Sequence, residues 1–263
     1  DLEEINATYP DRIVIASIMA GAGNEVEMDN WRKLATECVR VGCDALELNM
    51  SCPHMDRKDM GANLANDEHI ITSILKSVTR AVSVPIWVKL TPSTSQLVDA
   101  AKAAYDAGAS SISLCNTFPS LPLMDPETMK FEVEVDGLVT SGGLGGLAIL
   151  HQALQRVSDI SKYFPDKAIS GIGGIRGFRE AFNFVAHGAG NLQVCTAAME
   201  EKGSGGIGVK LIQELTQDLA EYLERKGYSS IEEIRGIARD RVVEHSQVRR
   251  KSDSYNGGYS LAS

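Results

Sequence analysis

Residues 85–116 read PIWVKLTPSTSQLVDAAKAAYDAGASSISLCN, and this stretch decides the fold. Pro85–Leu90 is a short apolar run that reads as a strand. Thr94–Ala107 has the spacing of a helix, and Asp106-Ala107-Gly108-Ala109 is its C-terminal stop. Ser111–Asn116 is a strand again. The same alternation continues on both sides. Before it, Arg12–Met19 reads as a strand and Trp31–Val41 as a helix, with Leu34, Cys38 and Val41 on one face. Ala45–Ser51 is the next strand and His69–Val82 the next helix. After it comes a long acidic loop, Phe118–Gly143, carrying Pro119, Pro122 and Pro126. Then follow a helix at Gly146–Tyr163, a strand at Lys167–Gly171, a helix at Gly177–His187 and a strand at Leu192–Thr196. A strong helix at Val209–Arg225 and a shorter one around Ser230–Gly236 precede a polar tail, Val242–Ser263.

Buried strands alternating with helices imply a parallel sheet, either open and doubly wound or closed as a barrel. An open dinucleotide-binding sheet would show three glycines after a strand. Gly21-Ala22-Gly23 lacks the third, so that reading is weak. Six strands are legible, where a closed barrel needs eight.

The composition narrows the function. A hydrophobic fraction of 43% over 263 residues supports a sizeable core, and the 24 glycines suit tight strand–helix turns. A net charge of −9 argues against nucleic acid and anionic membrane surfaces as partners. The cysteines Cys38, Cys43, Cys52, Cys115 and Cys195 form no C-x-x-C pair, which leaves no zinc or iron–sulfur motif and favours a reduced, cytoplasmic setting. No apolar run approaches the roughly 18 residues of a spanning helix. The chain opens Asp-Leu-Glu-Glu and shows no signal peptide.

Four strand ends carry chemistry. The first is Glu47-Leu48-Asn49-Met50-Ser51-Cys52-Pro53-His54, where an Asn, a Ser and a Cys close the strand and the cysteine is placed to move a proton at a carbon centre. The plainer alternative is a buried strand-end thiol. The second is Lys89 inside the apolar run Trp87–Leu90, costly there unless it meets an anion or a dipole, or simply reaches solvent. The third is Leu114-Cys115-Asn116-Thr117, where an amide at the strand end can donate to and accept from a ring amide, or merely cap a turn. The fourth is a set of glycine turns, Gly142-Gly143-Leu144-Gly145-Gly146 and Gly171-Ile172-Gly173-Gly174, together with Cys195-Thr196. The last two follow consecutive strands near the end of the chain, where barrels build phosphate sites from backbone amides.

Taken together, N-x-S-C-P-H, K-L-T-P, C-N-T, G-G-x-x-G, G-I-G-G-I and Q-V-C-T in this order resemble the barrel of dihydropyrimidine dehydrogenases. Dihydroorotate dehydrogenases share most of the run but usually have Asn where this chain has His54. The agreement extends from about residue 12 to residue 200, and Gly227–Gly236 (GYSSIEEIRG) resembles the bacterial barrel subunit.

The resemblance implies an FMN-binding (β/α)8 TIM barrel that lacks its first two βα units in this chain. On that reading residues 1–205 hold barrel strands 3 to 8, 206–240 supply helices that complete or flank the barrel, and 241–263 form the tail. Cys52 falls on the catalytic acid/base. Asn49, Met50, Ser51, Asn116 and Thr117 fall on substrate-contacting positions. Lys89 falls on the flavin-ring contact, and Gly146, Ile172, Gly173, Gly174, Cys195 and Thr196 on FMN-binding positions.

The implied reaction reduces the 5,6 double bond of uracil or thymine in pyrimidine catabolism. Hydride reaches one carbon and a proton from Cys52 the other. Dihydroorotate oxidation is the alternative, and a non-catalytic flavoprotein subunit in an electron-transfer complex is a third reading. The implied partners are a pyrimidine, an electron-donor subunit or domain outside this chain (FAD, NAD(P)H or iron–sulfur), and an N-terminal segment supplying the remaining barrel strands. The loop bearing Asp56-Arg57-Lys58-Asp59 is one residue shorter than the family pattern, and the acidic Phe118–Gly143 loop departs from it, so both bear on specificity.

Overall fold

A computed structural model describes residues 2–53, 57–199 and 207–248. His54 and Asp56 lie outside the described residues, as does the tail from Arg249. The elements run α1 (Leu2–Thr8), β1 (Ile15–Ile18), α2 (Glu25–Arg40), β2 (Ala45–Asn49), α3 (Glu68–Thr79), β3 (Ile86–Lys89), α4 (Leu97–Asp106) and β4 (Ser111–Leu114). They continue with β5 (Phe118–Ser120), β6 (Gly142–Leu144), α5 (Leu150–Tyr163), β7 (Ala168–Ile172), α6 (Phe178–Ala186), β8 (Asn191–Gln193), α7 (Thr196–Met199) and α8 (Ile207–Lys226).

Six strands form one parallel sheet in the order β1-β2-β3-β4-β7-β8, curled as a half-barrel. Each neighbour is the next strand of the wall, joined through a helix, so no crossover reverses the direction. That is barrel winding and not the switch-point order of an open dinucleotide-binding sheet. Among the described residues β1 pairs only with β2, and β8 only with β7, so the wall has two open edges.

The strand faces are chemically distinct because side chains alternate. Leu46, Leu48, Val88, Ile112, Leu114 and Ile169 point to the helices. They form one core with Trp31 and Ala35 of α2, Ile71, Ile74, Leu75 and Val78 of α3, Ala100, Ala101 and Ala104 of α4, Val157 of α5 and Phe184 of α6. The concave face is polar, with Ser17, Glu47, Ser113, Ser170 and Gln193 linked across it.

The structure corrects several sequence expectations. α2 starts at Glu25, earlier than Trp31, because the Asn24 side chain accepts from the Val26 and Glu27 amides at 3.0 and 3.1 Å. Such a cap is worth about 1 kcal/mol. The loop Phe118–Gly143 is not wholly irregular. Phe118–Ser120 pairs antiparallel with Gly142–Leu144, and Pro119 is tolerated in a two-stranded ribbon, where both strands are edges. The last strand stops at Gln193, and Thr196 instead opens the short helix α7. The turn after Ser230 is a 3-10 turn, Ile231–Glu233, closed by a capping box between Ser230 and Glu233. α1 was not anticipated, and the Asn6 amide donates to the Val41 carbonyl at 2.8 Å. α8 carries Tyr222 against Phe178 and Phe182 of α6, with ring centroids 5.2 and 5.1 Å away.

Candidate active site

The C-terminal ends of the strands converge on a recess of about 640 Å³, part of it open to solvent. Lys89, Asn116, Thr117, Gly145, Gly146, Ile172, Gly173, Gly174, Gln193, Cys195 and Thr196 are among its lining residues. They come from the ends of β3, β4, β7 and β8 and from the turn before α5, which are remote in sequence and adjacent only once the sheet has curled.

The turns at Gly146 and Gly174 are built for glycine. Gly146 has φ +64° and Gly174 φ +73°, conformations that cost other L-residues about 1–2 kcal/mol. A Cβ on Gly174 would lie 2.8 Å from Leu150 Cβ and 2.9 Å from the Gly146 carbonyl oxygen; one on Gly146 would lie 3.0 Å from Thr196 Cγ2. The two turns and the start of α7 are thereby pressed together, with backbone bordering the recess where side chains would otherwise stand. Cys195 is exposed, its sulfur 3.9 Å from Met199 Sδ.

At the β2–β4 side, Asn116 joins a second group. Its side-chain amide donates to Ser51 Oγ at 2.9 Å and to Asn49 Oδ1 at 3.3 Å. Ser51 Oγ donates to the same Asn49 oxygen at 2.8 Å, and Thr117 N donates to Asn116 Oδ1 at 2.8 Å. Met50 separates from this group: its side chain is wholly buried in the core, and its amide donates to the Lys89 carbonyl at 3.1 Å. Cys52 is half-buried at the start of the loop after β2 and is not among the residues lining the recess. Its carbonyl accepts from Ala62 N at 2.9 Å. Further along that loop, Arg57 bridges Glu27 at 2.9 Å and Asp59, holding both carboxyls below the usual range. The other strand-end thiol, Cys115, is pushed up to about 12 by burial.

Lys89 does meet an anion. Its Nζ lies 3.5 Å from Glu47 Oε1, with side chains 15% and 6% exposed. Removing one member of such a buried pair costs about 3–5 kcal/mol. Sequence reasoning missed Glu47, together with Ser17, Ser113, Ser170 and Gln193. The signal was present: a glutamate between Leu46 and Leu48 is as anomalous in an apolar strand as Lys89, and it shares a face with Asn49 two residues on.

The family model described as Dihydroorotate dehydrogenase matches residues 2–221. The chain belongs to the dihydroorotate dehydrogenase family. It is 31% identical over 261 residues to the chloroplastic dihydropyrimidine dehydrogenase (NADP(+)) of Arabidopsis thaliana, covering 97% of this chain and 59% of that protein. It is 30% identical over 251 residues to the NAD-dependent dihydropyrimidine dehydrogenase subunit PreA of Escherichia coli (strain K12), covering 95% and 58%. It is 33% identical over 227 residues to the catalytic subunit of dihydroorotate dehydrogenase B (NAD(+)) of Petrotoga mobilis, covering 86% and 69%. The chain thus spans under two thirds of the length of the first two relatives. Among its described residues no helix is long and apolar enough to cross a membrane.

Proposed function

We propose that this chain forms most of an FMN-binding barrel that reduces or oxidises the 5,6 bond of a pyrimidine, with uracil or thymine the preferred substrate. The carrying observation is convergence: Lys89, Gly146, Ile172, Gly173, Gly174, Cys195 and Thr196 border one recess, and Asn116 links it to Asn49 and Ser51.

The donor set fits FMN. The glycine turns leave room for a phosphate to approach main-chain amides, beside Cys195 and Thr196. Lys89, which lines the recess, would offer an ammonium to the flavin ring. When bound, FMN supplies hydride transfer at its ring N5. Asn49 and Asn116 offer paired donors and acceptors for a planar ring bearing N–H and C=O groups, with Ser51 and Thr117 alongside. Met50 contributes through its main chain only. Cys52 gives a proton to, or takes one from, the ring carbon next to the one exchanging hydride.

Two open sheet edges, at β1 and β8, support completion of the wall by two further parallel βα units. The words "subunit" and "catalytic subunit" in the relatives' names support an electron-carrying partner. Five free thiols suit the cytoplasm. Dihydroorotate is the second reading, favoured by the Petrotoga mobilis relative. Steady-state rates of the flavin-loaded protein on uracil, thymine and dihydroorotate decide between them. Turnover of dihydroorotate alone would overturn the preference.

A further inference from the structure

One polar side chain from each of the six barrel strands joins a single network centred on the buried Glu47, with Ser17 at its exposed end on the open β1 edge. Ser17 (β1) donates to Glu47 Oε1 at 3.0 Å, and Ser113 (β4) donates to Oε2 at 2.7 Å. Gln193 (β8) donates its amide to Oε2 at 3.0 Å, to Ser113 Oγ at 3.1 Å and to Ser170 Oγ (β7) at 2.9 Å. Lys89 (β3) places its ammonium 3.5 Å from Oε1. Glu47 is 5% exposed, and Ser113 and Ser170 are fully buried.

Barrel interiors are ordinarily filled by branched apolar residues, and such a filling is often at least as stable as a buried ion pair. The network therefore has to be explained by what it holds. Of its members only Lys89 and Gln193 also line the recess. The cage delivers one ammonium to the recess, with its counter-charge fixed directly behind it.

We propose that Glu47 is a positioning residue that fixes Lys89 at the recess and sets, as its counter-ion, how strongly that ammonium favours the reduced over the oxidised flavin. This rests on the FMN reading of the recess. With FMN in the recess that Lys89 lines, reduction would place negative charge on the ring near that ammonium. The ammonium favours that charge, and the carboxylate behind it opposes it. Glu47 therefore moderates the preference for reduced flavin that a bare lysine would give.

The test is the midpoint potential of FMN bound to the full chain, combined with its dissociation constant from fluorescence quenching. Glu47→Gln removes the charge and keeps the size. The ratio of oxidised to reduced dissociation constants should rise about tenfold, read as a positive shift of about 30 mV for a two-electron couple. Glu47→Asp keeps the charge but withdraws it from Lys89, and should move the ratio the same way by about threefold. It carries the test alone should Glu47→Gln not fold. Lys89→Met should weaken FMN binding, and adding Glu47→Gln should restore part of it by removing the stranded carboxylate. An unmoved or reversed ratio, or losses that simply add, would overturn the inference, because a structural role weakens both flavin states equally. A folded wild-type chain that takes up no FMN would instead overturn the cofactor reading, and this inference with it.

Discussion

The side-chain amide of Asn116 reaches Ser51 Oγ at 2.9 Å across 65 positions of sequence, tying the end of β4 to the end of β2. Asn116 lines the recess and Ser51 does not, so this bond ties the β2 end to the recess and fixes the spacing of the amides that would face a substrate ring.

Replacing Asn116 by Ala removes that tie and leaves Asn49 without one of its donors. Lost hydrogen bonds in a site that leaves polar groups unpaired cost about 1–3 kcal/mol, so the KM for uracil should rise roughly 10- to 100-fold with a smaller change in kcat. Steady-state kinetics check this. A KM within about twofold of wild type would remove Asn116 from the substrate contacts.

Gly174→Ala tests the cradle. At φ +73°, with Leu150 Cβ and the Gly146 carbonyl oxygen under 3 Å from the new methyl, the variant should lose about 2 kcal/mol or more of stability and bind FMN more weakly. Thermal unfolding and fluorescence titration read the two effects separately. Unaltered values for both would mean that the turn is not held as described.

Cys52→Ala should retain FMN and lose about 10²- to 10⁴-fold in turnover, the usual contribution of a general acid or base. Cys115→Ala should spare the chemistry although Cys115 also borders the recess, since burial keeps that thiol protonated at neutral pH. Turnover unchanged in the first variant would exclude Cys52 from proton transfer.

Much of this architecture is legible in the sequence, for a physical reason. Strands such as Ser111–Leu114 and Ile86–Lys89 are bounded by glycine or proline and flanked by helices with one apolar face, and those signals are local. The start of α2 was lost because it depends on one cap, Asn24, and not on periodicity. The β5–β6 ribbon was lost because its partners stand apart in the chain and Pro119 argues against a strand. For the candidate site, the residues that converge on the recess could be named from strand-end motifs. Glu47 carries a local signal, a carboxylate inside an apolar strand, but its role arises from register. It lies opposite Ser17 and Trp87, and only a curled sheet brings Ser113 and Gln193 to the same carboxylate.

His187, at the end of α6, has a buried Nδ1 with no hydrogen-bond partner. Burial, with a contribution from Lys162, lowers its pKa below the ordinary 6.5. The unfolded chain therefore takes up this proton first. The neutral form is favoured in the folded state, so stability should be level above about 6.5 and fall as the pH drops below it. The carboxyls held down by Arg57, Lys33 and Arg40 (Glu27, Asp59, Asp29 and Glu37) act only at lower pH. Urea midpoints for wild type and His187→Asn between roughly pH 7 and 5.5 should show a slope in the first that is reduced in the second. Equal slopes would assign the effect elsewhere.

We propose that the recess bordered by Lys89 and the late glycine turns holds a flavin. Titrating the folded protein with FMN and following flavin fluorescence tests it most directly. Saturable quenching with one FMN per chain, weakened by Lys89→Met and by Gly174→Ala, is the predicted result. A folded chain that leaves the fluorescence unchanged, or quenching indifferent to both substitutions, would contradict it.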